Sequence, residues 1–195
     1  MTPNAYLSLA VQSVTAPRDV ARLLMAAKLP REALGTAFAL VVVLNALVFA
    51  VADQLLADEP GGGMLGVPMV FLALQGLTLL ATILFMTWTG GLVGGTARLE
   101  DMAVLLIWLQ SLRVLMQVVL VIVLPVAPAL GGLVMLGASA AGVWILLNFI
   151  DEAHGLNNMF KAGLVLIFGI FGMAVALSVV LAILGITPNG LTGYV

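Results

Sequence analysis

The stretch ALGTAFALVVVLNALVFAVA, residues 33–52, contains no charged side chain and decides the class of the protein. A helix that crosses a bilayer needs about 20 consecutive apolar residues, and this stretch has that length. Hydrophobic residues make up 63% of the 195-residue chain and charged residues only 8%, with a mean hydropathy of +1.24. A water-soluble domain of this composition would expose large apolar patches, so the sequence predicts an integral membrane protein.

Four further apolar stretches predict four more crossings. The second helix should begin near Pro68, after the turn-forming PGGG and GVP. The segment between Asp101 and Asp151 has a single charge and is long enough for two crossings, which turn at LPVAPALGG. The predicted fold is therefore all-α, a polytopic bundle of five transmembrane helices with a short N-terminal amphipathic helix. The expected spans are 33–52, 68 to about 90–95, 102–124, 129–150 and 163–185.

The chain outside the spans is short. TAPRDVARLLMAAKLP predicts a helix, because Pro17 suits a first helical turn and Asp19 the positive end of the helix dipole. This helix either lies on the cytoplasmic leaflet or packs under the bundle. Its apolar face is formed by Val20, Leu23, Leu24 and Ala27. The predicted domains are a cytoplasmic segment with this interfacial helix (1–32), a five-helix membrane domain (33–185) and a non-cytoplasmic tail (186–195).

The basic residues predict the orientation of the bundle. An alternating path of five crossings brings six of the seven to one side, and the opposite loops contain none. Because lysine and arginine are enriched in cytoplasmic loops, the N-terminus should be cytoplasmic and the C-terminus non-cytoplasmic. The six residues are Arg18, Arg22, Lys28, Arg31, Arg98 and Lys161.

Small residues four positions apart predict close contacts between helices. Such faces let two backbones approach and gain van der Waals contact in lipid. Packing within one bundle is the simpler expectation, and packing between copies remains open. The candidate packing residues are Gly90, Gly91, Gly94, Gly95, Gly137, Ala141, Gly172 and Ala176.

One arginine stands near the middle of the third span. Gln110, Arg113 and Gln117 are three and four residues apart and share one helical face. A guanidinium in the membrane interior is costly unless it is hydrogen-bonded, so it should point into the bundle. Depth suggests partners on span two, and we call the whole set the polar seam: Gln75, Thr78, Thr82, Gln110, Arg113 and Gln117.

The polar seam has two interpretations. In the structural one, amides and hydroxyls satisfy Arg113 and lock the helices in register, so that Arg113→Leu should misassemble. In the functional one, Arg113 binds an anion, such as a lipid phosphate or a carboxylate of a substrate or partner helix.

Catalysis is not indicated by the remaining motifs. RLED (98–101) and DEAHG (151–155) bring four carboxylates and His154 to one side, where we expect a solvated loop whose acids pair with Arg98 and Lys161. A single histidine and no cysteine leave little for a nucleophilic triad, and no P-loop is present. We therefore expect no enzyme activity, no cofactor and no metal. The few scattered basic residues do not indicate nucleic-acid binding.

Several passages together resemble a known family. They are PREAL before span one, GGLVGGTARLEDMAVLLIWLQ leading into span three, and a W…HGL…KA passage between spans four and five. With five spans, they are similar to the bacterial branch of the Yip1 domain family. The resemblance implies a non-enzymatic protein of the bacterial inner membrane that interacts with lipids, with other membrane proteins or with itself, and organises them. A small carrier or lipid-handling protein that binds an anionic group at Arg113 is the alternative.

Overall fold

The computed structural model describes residues 2–56 and 68–183, and in these ranges all regular structure is α-helical. The last five helices are 25 to 28 residues long and apolar enough to cross a membrane. The predicted all-α protein with five crossings is confirmed. The predicted turn within 60–67 and the tail 186–195 lie outside the described residues. The helices are α1 (Pro3–Thr15), α2 (Pro17–Ala26), α3 (Arg31–Leu56), α4 (Pro68–Leu92), α5 (Leu99–Val126), α6 (Pro128–His154) and α7 (Met159–Ile183).

The five long helices close into a ring. Going round it, α3 packs against α4, α4 against α7, α7 against α6, α6 against α5, and α5 against α3, while α4 also contacts α5 and α6. We call the end at which α3, α5 and α7 begin, and at which α4 and α6 end, the N-terminal face. There α2 packs against α6 and α5.

The predicted boundary between spans three and four is confirmed, and the turn is shorter than the sequence suggests. Only Ala127 separates α5 from α6. Pro125 is accommodated inside the last turn of α5, and Pro128 occupies the first turn of α6, where a missing N–H costs little.

Of the two positions open to the amphipathic helix, α2 takes the one against the bundle. Val20 and Ala21 are fully buried, and Pro17 is buried beside them. Of the predicted apolar face, Val20 is buried against the bundle and Leu24 is half-buried, whereas Leu23 is 57% exposed and Ala27 is exposed beyond the end of the helix. The buried face is rotated toward Ala21 since Arg18, predicted on the polar face, reaches across to α6.

The densest packing lies in the half of the bundle next to the N-terminal face. The largest fully buried side chains of the long helices all lie within seven residues of the helix ends at this face: Met86, Met102, Leu105, Phe149, Ile150, His154 and Val165. Farther into the membrane the helices cover one another less. The sequence has a uniform apolar character along each span and does not indicate this gradient.

Candidate functional site

The end of α6 carries a buried carboxylate that α2 neutralises. Asp151 is 2% exposed, and Arg18 Nη2 donates to its Oδ2 at 2.7 Å. Arg18 Nε also donates to Asn148 Oδ1 at 3.2 Å, and the Asn158 backbone N–H donates to Asp151 Oδ1 at 2.8 Å. A buried charge needs such partners because it has lost its hydration. The expectation of a solvated loop is therefore wrong for Asp151.

A second ion pair fixes the same two helices. Arg22 Nε and Nη2 donate to the two oxygens of Glu152 at 2.7 and 3.2 Å, and this hydrogen bond raises the pKa of Arg22 above its ordinary value. The prediction that Arg98 and Lys161 pair with Asp151 and Glu152 is wrong, because Arg18 and Arg22 do so. Arg98 instead lies 3.8 Å from Glu100. No sequence pattern indicates that α2 brings two arginines to the end of α6.

His154 is enclosed rather than available to a substrate. It is 2% exposed, and its Nδ1 lies 3.0 Å from the Ile150 carbonyl oxygen. A Cβ added at Gly90 would lie 1.8 Å from His154 Nε2, and one added at Gly95 would lie 2.6 Å from His154 Cβ. The Thr96 N–H closes the niche by donating to the His154 carbonyl at 3.2 Å. Within the described ranges, His154 belongs to no group of three or more residues that could hold a metal ion.

The glycines at the end of α4 therefore divide into two kinds. Gly90 and Gly95 make room for the imidazole ring, whereas a Cβ at Gly91 or Gly94 would meet no atom within 4 Å. Gly94 has φ +93°, a conformation that favours glycine in the turn after α4. The predicted close contact at the end of α4 is present. It joins the backbone of Gly90 and Gly95 to the His154 side chain of α6, and these two glycines are five residues apart, not four.

Of the other candidate packing residues, some contact a neighbouring helix closely and others do not. A Cβ at Gly172 would lie 2.7 Å from the ring of Phe85, so α7 approaches α4 closely there. Ala176, one turn farther along α7, is half-buried. Gly137 on α6 is exposed with nothing within 4 Å of a Cβ, and Ala141 is half-buried. Packing within the chain is therefore seen at Gly172 and is not seen at Gly137.

Sequence reasoning missed the contacts of α1. Trp108 Nε1 donates to Ser13 Oγ at 2.9 Å, and Tyr6 Oη donates to Ser111 Oγ at 3.2 Å. Ser111 lies 12 residues into α5, about 18 Å from the N-terminal face, so the Tyr6 side chain reaches toward the middle of the membrane, while α1 itself packs against α2 and α6. Gly169, which packs against a methionine of α4, was also missed.

Three polar side chains lie at the same depth. Asn45, Thr78 and Arg113 are each 14 residues from the end of their helix at the N-terminal face, a distance of about 21 Å. Asn45 is buried, and its Nδ2 donates to the Val41 carbonyl of its own helix at 2.8 Å. Its Oδ1 is buried without a hydrogen bond. The middle of the membrane thus contains polar groups that the bundle does not fully satisfy.

The polar seam is not connected as predicted. Arg113 is exposed, and in the described ranges it forms neither an ion pair nor a hydrogen bond with Gln75, Thr78 or Thr82. Thr82 donates to the Thr78 carbonyl of its own helix at 2.7 Å instead. The prediction that Arg113 points into the bundle is wrong, because this position lies on the outward side of α5, whereas the adjacent Leu112 is buried.

The two glutamines beside Arg113 also have side-chain oxygen atoms without a hydrogen-bond partner. Gln110 and Gln117 are half-buried, and the Oε1 atom of each is buried with no hydrogen-bond donor. They lie one turn before and one turn after Arg113 on the same face. Buried polar atoms in native proteins almost always have partners, so this face of α5 has hydrogen-bonding capacity that the chain does not use.

A cavity of about 310 Å³ lies at the N-terminal face, between the link from α2 to α3 and the start of α5. Lys28, Arg31, Arg98 and Glu100 contribute its charged lining. Arg31 Nη2 donates to Glu100 Oε1 at 3.1 Å, so that two arginines share one carboxylate. Both arginines are largely exposed, and the cavity shares no lining residue with the polar seam.

The chain matches the model of a known protein family. Residues 11–186 match the family model described as Yip1 domain. No curated protein and no solved structure matches the chain. The matched region includes all five long helices together with α2. The chain belongs to the Yip1 domain family.

Proposed function

We propose that this membrane protein is a non-enzymatic interaction module that associates with other proteins in a bacterial inner membrane. One observation carries the proposal: Arg113 is exposed and without a partner in the described chain, halfway along a membrane-spanning helix. A guanidinium facing hydrocarbon costs from about 3 to more than 10 kcal/mol. A second molecule that covers Arg113 would remove this cost, so the isolated chain is best understood as one part of a larger assembly.

The polar groups at the N-terminal face support a non-enzymatic role. Asp151 and Glu152 are occupied by Arg18 and Arg22, and His154 is sealed by two glycines. A general acid or base must be within hydrogen-bonding reach of its substrate. Within the described residues, Asp151 and Glu152 hold α2 against α6, and the enclosed His154 is out of reach of a substrate.

The charge distribution supports an N-terminal face in the cytoplasm. Arg18, Arg22 and Arg31 lie at this face with three further basic residues, and the positive-inside rule places such a face in the cytoplasm. The chain has no cysteine, so single cysteines can be introduced and labelled from either side of the membrane. Labelling of Lys161→Cys from the outside of intact cells would contradict this orientation.

A carrier or lipid-handling protein is the second candidate, because the face around Arg113 has two buried oxygen atoms without donors, on Gln110 and Gln117. A ligand with both an acidic group and a hydroxyl or amide donor would satisfy Arg113 and these oxygens together. The two candidates use the same face and differ in whether the bound molecule is a protein or a small molecule.

Copurification with an Arg113 variant tests both candidates. We would purify the wild type, Arg113→Leu and Lys161→Leu in mild detergent and identify bound proteins and lipids by mass spectrometry. Lys161→Leu removes an exposed charge at the N-terminal face and serves as the matched control. A recurrent membrane protein lost only from Arg113→Leu supports the interaction module. A stoichiometric acidic lipid or metabolite lost only from that variant supports the carrier. A folded Arg113→Leu that retains everything the wild type binds overturns both.

A further inference from the structure

The position of Arg113 restricts what can cover it. We propose that Arg113 pairs with an aspartate or glutamate carboxylate near the middle of a transmembrane helix that belongs to a different protein. The inference rests on the proposed interaction function and specifies the chemistry of the partner.

Depth argues against a lipid phosphate. Arg113 lies 14 residues after the start of α5 and 13 before its end, about 20 Å from either end. The middle of the hydrocarbon core is about 15 Å from the headgroup region. This distance exceeds the length of an arginine side chain, which reaches headgroups by snorkelling only from near the end of a helix. The anion must therefore be held at mid-depth by something that itself crosses the membrane.

A second copy of this chain does not supply that anion. The seven acidic residues in the described ranges lie in the terminal turns of the long helices or in α2: Asp19, Glu32, Asp53, Glu100, Asp101, Asp151 and Glu152. The other two, Asp58 and Glu59, fall in the sequence between the last residue of α3 and the first residue of α4. Asp53, near the far end of α3, is 22 residues from the start of that helix and thus about 12 Å beyond the depth of Arg113. This holds for parallel and antiparallel copies, because Arg113 is at the centre in both. The partner is therefore a different protein.

The groups beside Arg113 suit a carboxylate held between two helices. Arginine has five N–H donors, and a carboxylate accepts two of them in a bidentate pair. The remaining donors can then turn to the unbonded oxygens of Gln110 and Gln117, one turn away on either side. Docking would thus satisfy the cation and the two amides together. A neutral partner helix would leave the charge unpaired.

The experiment uses a defined probe instead of an unknown partner. The full-length protein, labelled at Lys161→Cys, is reconstituted in phosphatidylcholine vesicles with a synthetic leucine–alanine helix of about 23 residues. Energy transfer measures association with three otherwise identical peptides, which carry Glu at the centre, Gln at the centre, or Glu in the last turn. We expect the central Glu peptide to bind at least about tenfold more tightly than the other two.

Variants link the preference to Arg113. Arg113→Gln should abolish the preference for the central Glu peptide, and Arg113→Lys should retain part of it, which also shows that a substituted bundle remains folded. Equal binding of the Glu and Gln peptides overturns the inference, as does a preference that survives in Arg113→Gln. Loss of the preference on adding phosphatidylglycerol would assign the site to a lipid phosphate and overturn it as well. If the peptides fail while a native partner still depends on Arg113 in copurification, only the carboxylate is wrong and the interaction function stands.

Discussion

The niche around His154 permits a sharp test with two neighbouring glycines. Gly90 and Gly91 are adjacent near the end of α4, yet a Cβ at Gly90 would lie 1.8 Å from His154 Nε2, 2.1 Å from Cδ2 and 2.5 Å from Cε1. A Cβ at Gly91 would meet nothing within 4 Å. Gly90→Ala should therefore destabilise the protein, and Gly91→Ala should not.

The magnitude follows from three effects. Ordinary contact begins at 3.4 Å, so the imidazole must move by about 1.6 Å, the difference between 3.4 and 1.8 Å, and overpacking of this kind costs about 1–3 kcal/mol. The His154 Nδ1 to Ile150 oxygen bond at 3.0 Å would be lost or weakened, at a cost of about 1 kcal/mol. Alanine regains about 0.5–1 kcal/mol over glycine in a helix. We expect Gly90→Ala to lower the free energy of unfolding by about 1–3 kcal/mol.

Unfolding of the purified protein in detergent measures these differences. Gly91→Ala should be unchanged or more stable by up to about 1 kcal/mol. A double-mutant cycle with His154→Ala should recover much of the loss caused by Gly90→Ala, because the ring with which the methyl collides is absent. Equal stability of Gly90→Ala and Gly91→Ala would refute the niche. A loss that persists undiminished without the imidazole would show that the collision lies elsewhere.

Three further contacts are tested by substitution with the same unfolding measurement. Asp151→Asn should cost about 2 kcal/mol because the buried carboxylate loses its charge-assisted hydrogen bond to the partly exposed Arg18, whereas Glu152→Gln, in an exposed pair, should cost clearly less; equal losses would contradict the assigned burial. Gly172→Ala should cost about 1–3 kcal/mol through contact with α4, and Gly137→Ala should be neutral or stabilising; a comparable loss at Gly137 would mean that this face of α6 packs against another molecule. Trp108→Phe should cost about 1 kcal/mol through the lost hydrogen bond to α1, and an unchanged stability would argue against that bond.

Much of the fold followed from length and charge alone. The uncharged stretches of about 20 residues predicted five crossings because backbone polar groups in lipid must be satisfied within a helix. The expected spans overlap α3 to α7. Three helices, α3, α5 and α6, extend beyond their expected spans at both ends, and α7 begins four residues before its expected span. Pro17 and Asp19 marked the start of α2 correctly. These signals depend only on residues that are near one another in the chain, so a single sequence is enough to recognise them.

The candidate site depends on which side of each helix faces the bundle, and this sequence carries little information about that. In water a buried helix face is apolar and an exposed face polar, but lipid tails are as apolar as a protein core. Thus Gly90 and Gly91 look equivalent in sequence, and only the packed bundle turns one of them toward His154. The same reason applies to Arg113, since its cost in lipid predicted an inward side chain and the packing leaves it exposed.

The sequence by itself determined that the chain crosses the membrane five times, with six of its seven basic residues at one face, because hydrophobic length and charge act residue by residue. The tertiary structure alone decided that α2 neutralises the acids of α6, that His154 is enclosed and that Arg113 is left without a partner in the described chain. These outcomes depend on how whole helices approach one another, and in a uniformly apolar sequence that choice is made by contacts between distant segments.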